Sequence, residues 1–279
     1  MKTKIKVWLF ILAVGLLSQC KKEPLAKVTI PDDNFLNALI EQGVDSNGDG
    51  IITPFEAYKV TFLDVSGESI SDLTGIEAFV NLDWLLCSNN QLTTLDVSNN
   101  TALIILYCSN NQLTTLDVSN NYALDELDCS NNQLTTLDVS NNTALIKLEC
   151  SNNQLTTLDV SNNTALYELF CHNNQLTSLD VSNNNLSALD CSNNQLTSLD
   201  VSNTHFYYPL DCSNNQLTTL DVSNTDLGQL ICSNNQLTTL DVSNNTRLHR
   251  LDCSNNQLTS LDISNNTALE MLALRDMPP

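Results

Sequence analysis

Positive charge is scarce in this chain of 279 residues, in which 11 Lys and Arg stand against 32 Asp and Glu. Nucleic-acid binding needs a basic surface, so the formal net charge of −21 argues against DNA or RNA as a partner. Histidine is also scarce, and His172, His205 and His249 are scattered without the spacing of a metal site. Because no nucleophile and base form a recognisable pattern, we predict that the chain is not an enzyme.

Long apolar runs are lacking as well. The run from Val7 to Leu17 is too short for a membrane-spanning helix, which needs about 20 residues. Three lysines precede it and Ser18-Gln19-Cys20 follows, which is typical of a bacterial secretory signal at residues 1–19. The ending resembles a lipoprotein box, so we expect a lipid on Cys20. Ordinary cleavage with an incidental cysteine is the alternative.

This ending also predicts where the protein is located. We expect residues 20–28 to tether the protein to the bacterial cell envelope, at the outer-membrane surface. Contact with the membrane is then made through the lipid alone.

A 21-residue unit, by contrast, recurs from about residue 82 onward. One copy, Leu103 to Ala123, reads L-I-I-L-Y-C-S-N-N-Q-L-T-T-L-D-V-S-N-N-Y-A. A fixed period of this length predicts a solenoid, in which each coil buries its apolar side against its neighbours. Alternation around Leu106 and around Leu116 predicts two short parallel strands per coil, and hence two stacked parallel sheets over residues 70–279.

The ten cysteines do not have the spacing of a disulfide framework. Nine recur once per repeat, at positions where the alternation points inward: Cys87, Cys108, Cys129, Cys150, Cys171, Cys191, Cys212, Cys232 and Cys253. We predict a column of buried free thiols, with disulfides or a metal as the alternative. An Asn follows each first strand at a fixed offset, and its amide is expected to satisfy inward-facing backbone groups at the turn.

The two outer faces differ in how much they vary between coils. One is nearly constant and carries a column of aspartates: Asp96, Asp117, Asp138, Asp159, Asp180, Asp200, Asp221, Asp241 and Asp262. It is predicted to be a solvated acidic stripe, with a ladder of divalent ions as the alternative. The other face, formed by the first strands, varies from coil to coil. We expect ligand contacts there, at Trp84, Leu86, Ile105, Tyr107, Lys147 and Phe170. The first four form an apolar cluster, which is either an interface or covered by the N-terminal cap.

The unit resembles the bacterial leucine-rich repeats of internalin-type surface proteins, in their 21-residue nested class with a cysteine ladder. The shared pattern is L-x-x-L-x-C-x-x-N-x-L-x-x-L-D-L-x-x-N over Leu103 to Asn121, with Val118 in place of the last leucine. Residues 70–82 resemble a conventional internalin repeat. The resemblance implies a mainly β leucine-rich-repeat solenoid with a small helical cap at residues 29–69. It also implies a cell-surface ligand binder.

The cap contains a twelve-residue stretch from Asp45 to Glu56 that resembles an EF-hand loop. Calcium ligands are expected from Asp45, Asn47, Asp49, the backbone of Ile51, Thr53 and Glu56. Pro31 to Val44 before it is predicted to be a helix with one apolar face formed by Phe35, Leu36, Leu39 and Ile40. A metal-free remnant of such a loop is the alternative.

Together these features predict a cell-surface lipoprotein that binds a protein or glycan through its variable face. Calcium is expected to have a structural role in the cap. The alternative is a structural spacer or coat lipoprotein with no specific ligand.

Overall fold

The computed structural model describes residues 26–202, 204 and 206–275. The predicted signal segment, the lipidation site Cys20 and most of the tether lie outside these residues, so those predictions stay as such. Within the described part, no helix has both the length and the apolar character that crossing a membrane requires.

One parallel sheet of eleven strands runs through the molecule, and its strands pair in chain order from β1 to β11. Each coil of 20 to 22 residues contributes one short strand, which pairs with the next in unbroken register. The repeat therefore forms a solenoid, as predicted. The strands are β1 Phe62–Asp64, β2 Trp84–Leu86, β3 Ile105–Tyr107, β4 Glu126–Asp128, β5 Lys147–Glu149, β6 Glu168–Phe170, β7 Ala188–Asp190, β8 Leu210–Asp211, β9 Gln229–Ile231, β10 Arg250–Asp252 and β11 Met271–Ala273.

The N-terminal cap has two helices, α1 Asp33–Glu41 and α2 Pro54–Ala57. Helix α1 is shorter than predicted and begins after Pro31, because the Asp32 side chain caps it by accepting the backbone N–H groups of Asn34 and Phe35. Of the predicted apolar face, Phe35 and Leu39 are buried and Leu36 is partly buried. Ile40, in contrast, is exposed.

The cap is joined directly to the first coil. The second carboxylate oxygen of Asp32 accepts the backbone N–H of Ser71 at 2.8 Å, and the Gln42 amide donates to the Asp64 carbonyl at 2.7 Å. Gly75, at φ +109°, lies under the segment before α1, and a Cβ there would be only 2.9 Å from the Thr29 carbonyl oxygen. The sheet also begins earlier than the predicted boundary at residue 70, because β1 pairs with β2.

The interior is a continuous apolar cluster along the whole solenoid. The strand leucines, such as Leu148, alternate with the ladder cysteines, and all nine of these cysteines are buried and unpaired. The prediction of a buried column of free thiols is confirmed.

A column of nine Asn side chains closes the turns after strands β2 to β10. The amide nitrogen of Asn153 donates to the carbonyls of Cys129 at 3.0 Å and Cys150 at 3.2 Å, and its oxygen accepts the Leu134 N–H at 2.9 Å. One side chain thus satisfies backbone groups of two adjacent coils, as predicted. The same arrangement occurs at Asn90, Asn111, Asn132, Asn174, Asn194, Asn215, Asn235 and Asn256.

The prediction of a second sheet is wrong. The second stretch of each coil buries its Leu and Val, but in the described residues it pairs only through isolated bridges, at Asp96–Asp117, Asp180–Asp200 and Asp200–Asp221. Side chains take the backbone groups that a ladder would use. The Val118 carbonyl accepts the buried amide of Asn142 at 3.0 Å, and the Ser119 N–H donates to Asp117 at 2.9 Å.

The Asn142 position forms a second buried amide column that we did not predict. It includes Asn100, Asn121, Asn163, Asn184, Asn245 and Asn266.

Apolar side chains remain accessible at the far end of the sheet. Leu272 of β11 occupies the inward leucine position yet is 40% exposed, whereas Leu251 of β10 is buried. The last described coil therefore lacks the cover that each inner coil receives from its successor.

Candidate binding face and cap loop

The outward side chains of the strands form one continuous surface, here called the sheet face. Strand register arranges them in two columns. The first column contains Phe62, Trp84, Ile105, Glu126, Lys147, Glu168 and Ala188 in the first seven strands. The second contains Asp64, Leu86, Tyr107, Asp128, Glu149, Phe170, Asp190 and Asp211 in the first eight. All six predicted ligand contacts lie in these columns.

The N-terminal end of the sheet face is apolar and accessible. Trp84 is 44% exposed, and Leu86, Ile105 and Tyr107 are partly exposed, so the cap does not cover this cluster. Phe62 of β1 extends it: this side chain is 51% exposed, and its ring centroid lies 6.0 Å from that of Trp84. Phe62 was not predicted because it precedes the recognisable repeats. The alternation of Phe62-Leu63-Asp64 is the signal that could have revealed it.

Two of the predicted ligand-contact residues, Lys147 and Tyr107, interact with acidic neighbours on the sheet face. The Lys147 ammonium lies 3.7 Å from the Glu168 carboxylate and 5.8 Å from the Phe170 ring centroid. The Tyr107 hydroxyl donates a hydrogen bond to Glu126. These contacts hold the side chains in place along the centre of the sheet face.

Carboxylates dominate the second column beyond Tyr107. The hydroxyl of the serine two residues later donates to each of three of them at 2.7 Å: Asp128, Asp190 and Asp211. Glu149 accepts the equivalent bond from Ser151. Burial is the largest influence on two of these groups, and it raises the pKa of the Glu149 and Asp211 carboxyls.

His172 takes the place of the serine in one coil of this row. Its Nδ1 lies 3.3 Å from the Asp190 carboxylate, without the alignment of a hydrogen bond. Sequence reasoning had treated His172 as an incidental histidine. The His249 ring lies next to Gly228 of the preceding coil. His205 is outside the described residues.

The constant face carries the aspartate stripe, with exposed threonines beside it. Each carboxylate accepts the backbone N–H of the serine two residues later, as Asp117 does from Ser119 and Asp138 from Ser140, both at 2.9 Å. Bonds from these serines lower the pKa of both aspartates. These local bonds favour a solvated stripe.

Five of the predicted calcium ligands, from Asp45 to Thr53, lie in the loop between the cap helices, and the sixth, Glu56, lies in α2. Two oxygens of Asp45 accept the N–H groups of Gly48 and Gly50, both at 2.8 Å, and Asn47 and Asp49 each bond the backbone two residues later. Oxygen donors of this kind suit calcium. Gly48 and Gly50 have φ of +73° and +77°, which permits the tight turn.

The Glu56 carboxylate accepts hydrogen bonds from neighbouring residues of the cap. Its residue is 4% exposed, and its two oxygens accept bonds from Thr53 and Ser46. Those from Thr53 are the main reason that the pKa of Glu56 falls to about 2. Thr53 and Glu56 form the capping box of α2. Among the described residues, no three His, Cys, Asp or Glu side chains converge as a metal site requires, so the calcium prediction stays untested.

Comparison with known proteins identifies relatives of this architecture. The family described as the leucine-rich-repeat domain of the endo-beta-N-acetylglucosaminidase EndoS matches residues 30–163. Internalin J of Listeria monocytogenes is 44% identical over 71 residues, which is 25% of this chain and 8% of that protein. The chain is therefore homologous to internalin J, although it spans only a small part of that protein's length.

Solved structures agree with this relationship. The functional domain of InlJ from Listeria monocytogenes, described as including a cysteine ladder, superposes with a TM-score of 0.80 at 40% identity. The match covers 89% of this chain and 57% of that one. An internalin, InlF, of the same species superposes at 0.69 with 24% identity, covering 92% and 86% of the two chains. The leucine-rich-repeat fold and its cysteine ladder are thus confirmed.

Proposed function

We propose that this protein is a lipid-anchored binding protein of the bacterial surface that holds a protein or glycan partner against its sheet face. The observation that carries the proposal is the contrast between the two outer faces. The constant face repeats Thr and Asp, whereas the sheet face changes in every coil while its inward leucines and cysteines do not. Homology to internalin J supports a role in binding.

The exposed aromatic cluster gives the face a means of holding a partner. Large aromatic side chains supply much of the binding energy at interfaces, and Phe62 and Trp84 expose theirs on rigid strands. A structural spacer would have no need of such side chains, because exposed apolar clusters promote aggregation. The binding role is therefore favoured over the spacer role.

The two faces should respond differently to substitution. Wild-type full chain is screened on protein and glycan arrays, and variants are then tested on each hit. The double variant Tyr107→Ala, Phe170→Ala is expected to weaken binding at least about tenfold, since each loses a partly buried ring. The matched variant Thr115→Ala, Thr136→Ala on the constant face should change it less than about twofold. No saturable binding to any array member would support the spacer instead, and equal losses from both variants would contradict the sheet face as the binding surface.

We also propose that Asp45, Asn47, Asp49, Ile51, Thr53 and Glu56 hold one structural calcium ion in the cap. Support comes from the all-oxygen donor set and from the glycine turns that wrap Asp45 around the loop. To bind the ion, the Glu56 carboxylate would give up the hydrogen bonds that it now accepts from Ser46. The ion would brace the cap against the first coil.

Calcium is expected to stabilise the protein by mass action. With a dissociation constant of about 1 mM, 10 mM calcium should raise the free energy of unfolding by about 1.4 kcal/mol relative to EDTA. Calorimetric titration should give one ion per chain. Asp45→Ala and Glu56→Ala should abolish both effects, while Glu41→Ala, which removes an exposed charge from the same cap, should not. Several ions per chain would instead indicate that the aspartate stripe binds calcium, and unchanged behaviour of the two loop variants would refute the site.

A further inference from the structure

The centre of the sheet face is an acidic row with little compensating charge. Four of the five residues from β4 to β8 in the second column are carboxylates: Asp128, Glu149, Asp190 and Asp211, with Phe170 between them. Glu126 and Glu168 add two more in the first column. Lys147 is the one lysine or arginine among the outward residues of β1–β8, and it is already paired with Glu168.

These carboxylates are partly desolvated, unlike those of the constant face. Burial raises the pKa of Glu149 and Asp211, whereas bonds from serine lower the pKa of the exposed Asp117 and Asp138. Lys147 and His172 act on Glu149, and His172 acts on Asp211, but these basic side chains do not offset the hydration that burial removes, because the pKa of both carboxyls is still raised. A cation delivered by a partner would restore that interaction, so the row is better suited to binding cations than the stripe is.

The apolar end of the same face offers an anchor site. The Phe62 ring contacts Trp84 at a tilted angle, and it also lines a cleft of about 480 Å³ between the cap and the first coil. Val44 and Val60 line the same cleft together with polar side chains, among them Glu56 and Lys59. A partly apolar cleft beside exposed aromatic rings is suited to an aromatic or aliphatic side chain. The constant face has regularly spaced carboxylates but no aromatic side chain beside them.

The distance from the aromatic cluster to the carboxylates determines how long a bound segment must be to reach both. Neighbouring strands are about 4.8 Å apart, so Glu149 lies about 14 Å and Asp211 about 29 Å along the sheet from Trp84. An extended chain advances about 3.3 Å per residue. A segment laid across the strands therefore reaches Glu149 after about four residues and Asp211 after about nine.

Resting on the function proposed above, we infer that the partner of the sheet face is a basic protein segment lying across the strands. Its aromatic or aliphatic anchor is seated at Phe62 and Trp84. Its lysines or arginines, about four to nine residues away, pair with Glu149, Asp190 and Asp211. Charge complementarity favours this occupant over a neutral glycan, which brings no cation to the row of carboxylates.

Selection from a displayed library of random dodecapeptides, with the full chain as bait at about 0.15 M salt, tests this inference. The enriched peptides are expected to carry net positive charge, with an aromatic or aliphatic residue four to nine positions from the basic ones. The double variant Glu149→Gln, Asp211→Asn should weaken their binding at least about tenfold, and Trp84→Ser should do the same. Both amide substitutions keep an oxygen for the serine bonds.

The constant face provides the matched control. Asp117→Asn, Asp138→Asn removes the same charge from carboxylates that also accept serine bonds, and it should change binding less than about twofold. An equal loss from this pair would mean that net charge alone attracts the peptides, which overturns the inference. A selection that enriches no basic peptide overturns it too.

The test also separates this inference from the function on which it rests. If neutral peptides or array glycans bind and Trp84→Ser or Tyr107→Ala weakens them, the sheet face binds ligands but the basic partner is refuted. If ligands bind and no sheet-face variant affects them, both proposals fail.

Discussion

Replacing Asn153 by alanine is expected to lower the free energy of unfolding by about 2–5 kcal/mol. The substitution leaves the Leu134 N–H buried without an acceptor, and it removes one of the two amide donors of the Cys129 and Cys150 carbonyls. These carbonyls keep their bonds from Asn132 and Asn174. An unsatisfied buried group costs about 1–3 kcal/mol, and each further hydrogen bond lost costs about 0.5–1.5 kcal/mol. The position lies in the middle of the solenoid, where neither neighbouring coil can relax toward solvent. Urea denaturation followed by circular dichroism measures the loss.

A nearby asparagine serves as the control. Asn141 is exposed, and its amide donates only to the Ser119 carbonyl at 3.1 Å. Asn141→Ala should change stability by no more than about 0.5 kcal/mol. Similar losses of stability from Asn153→Ala and Asn141→Ala would contradict the structural role of the Asn column. Because coils of a solenoid can unfold separately, hydrogen exchange should also show that the loss at Asn153 is centred on the two coils that the side chain joins.

The ladder thiols before Cys253 are expected to react with Ellman's reagent in the folded protein at least about a thousandfold more slowly than in the unfolded chain. Burial, with a smaller effect of Asp64, raises the pKa of Cys87 to about 12 from an ordinary value of 9.0. At pH 8 that change alone reduces the reactive thiolate about a thousandfold. Burial also raises the pKa of Cys150. Labelling quenched at successive times and followed by peptide mapping gives the reaction rate of each cysteine.

Labelling should also follow position along the solenoid. Cys253 lies next to β11, the last described strand, and its pKa is raised only to about 11, again mainly by burial. It should react first, with Cys150 among the last, because end coils open more readily than inner ones. Urea-unfolded protein, kept unreduced, provides the reference rate and should yield all nine ladder thiols. Fewer would reveal disulfides, and uniform fast labelling of the folded protein would contradict a closed core.

The candidate site was partly visible in the sequence. Comparing coils within the chain separated a constant face from a variable one, and strand register places Trp84, Tyr107 and Phe170 together on the variable side. The desolvation of Glu149 and the approach of His172 to Asp190 were not predictable. Both depend on how closely neighbouring coils stack, which the pattern within one coil does not contain.

By itself, the sequence determined the solenoid, its inward leucines, its thiol column and the Asn153 type of turn, because a repeated unit meets copies of itself and local alternation therefore specifies the contacts. Only the tertiary structure decided how the cap joins the sheet and which hydrogen bonds hold the second stretch of each coil. Asp32 both caps α1 and binds Ser71, Phe62 joins the sheet from outside the repeat, and the side-chain amides and carboxylates replace a second β-ladder. Each of these depends on which of two competing hydrogen-bond partners is nearer in three dimensions, a choice that spacing along the chain does not encode.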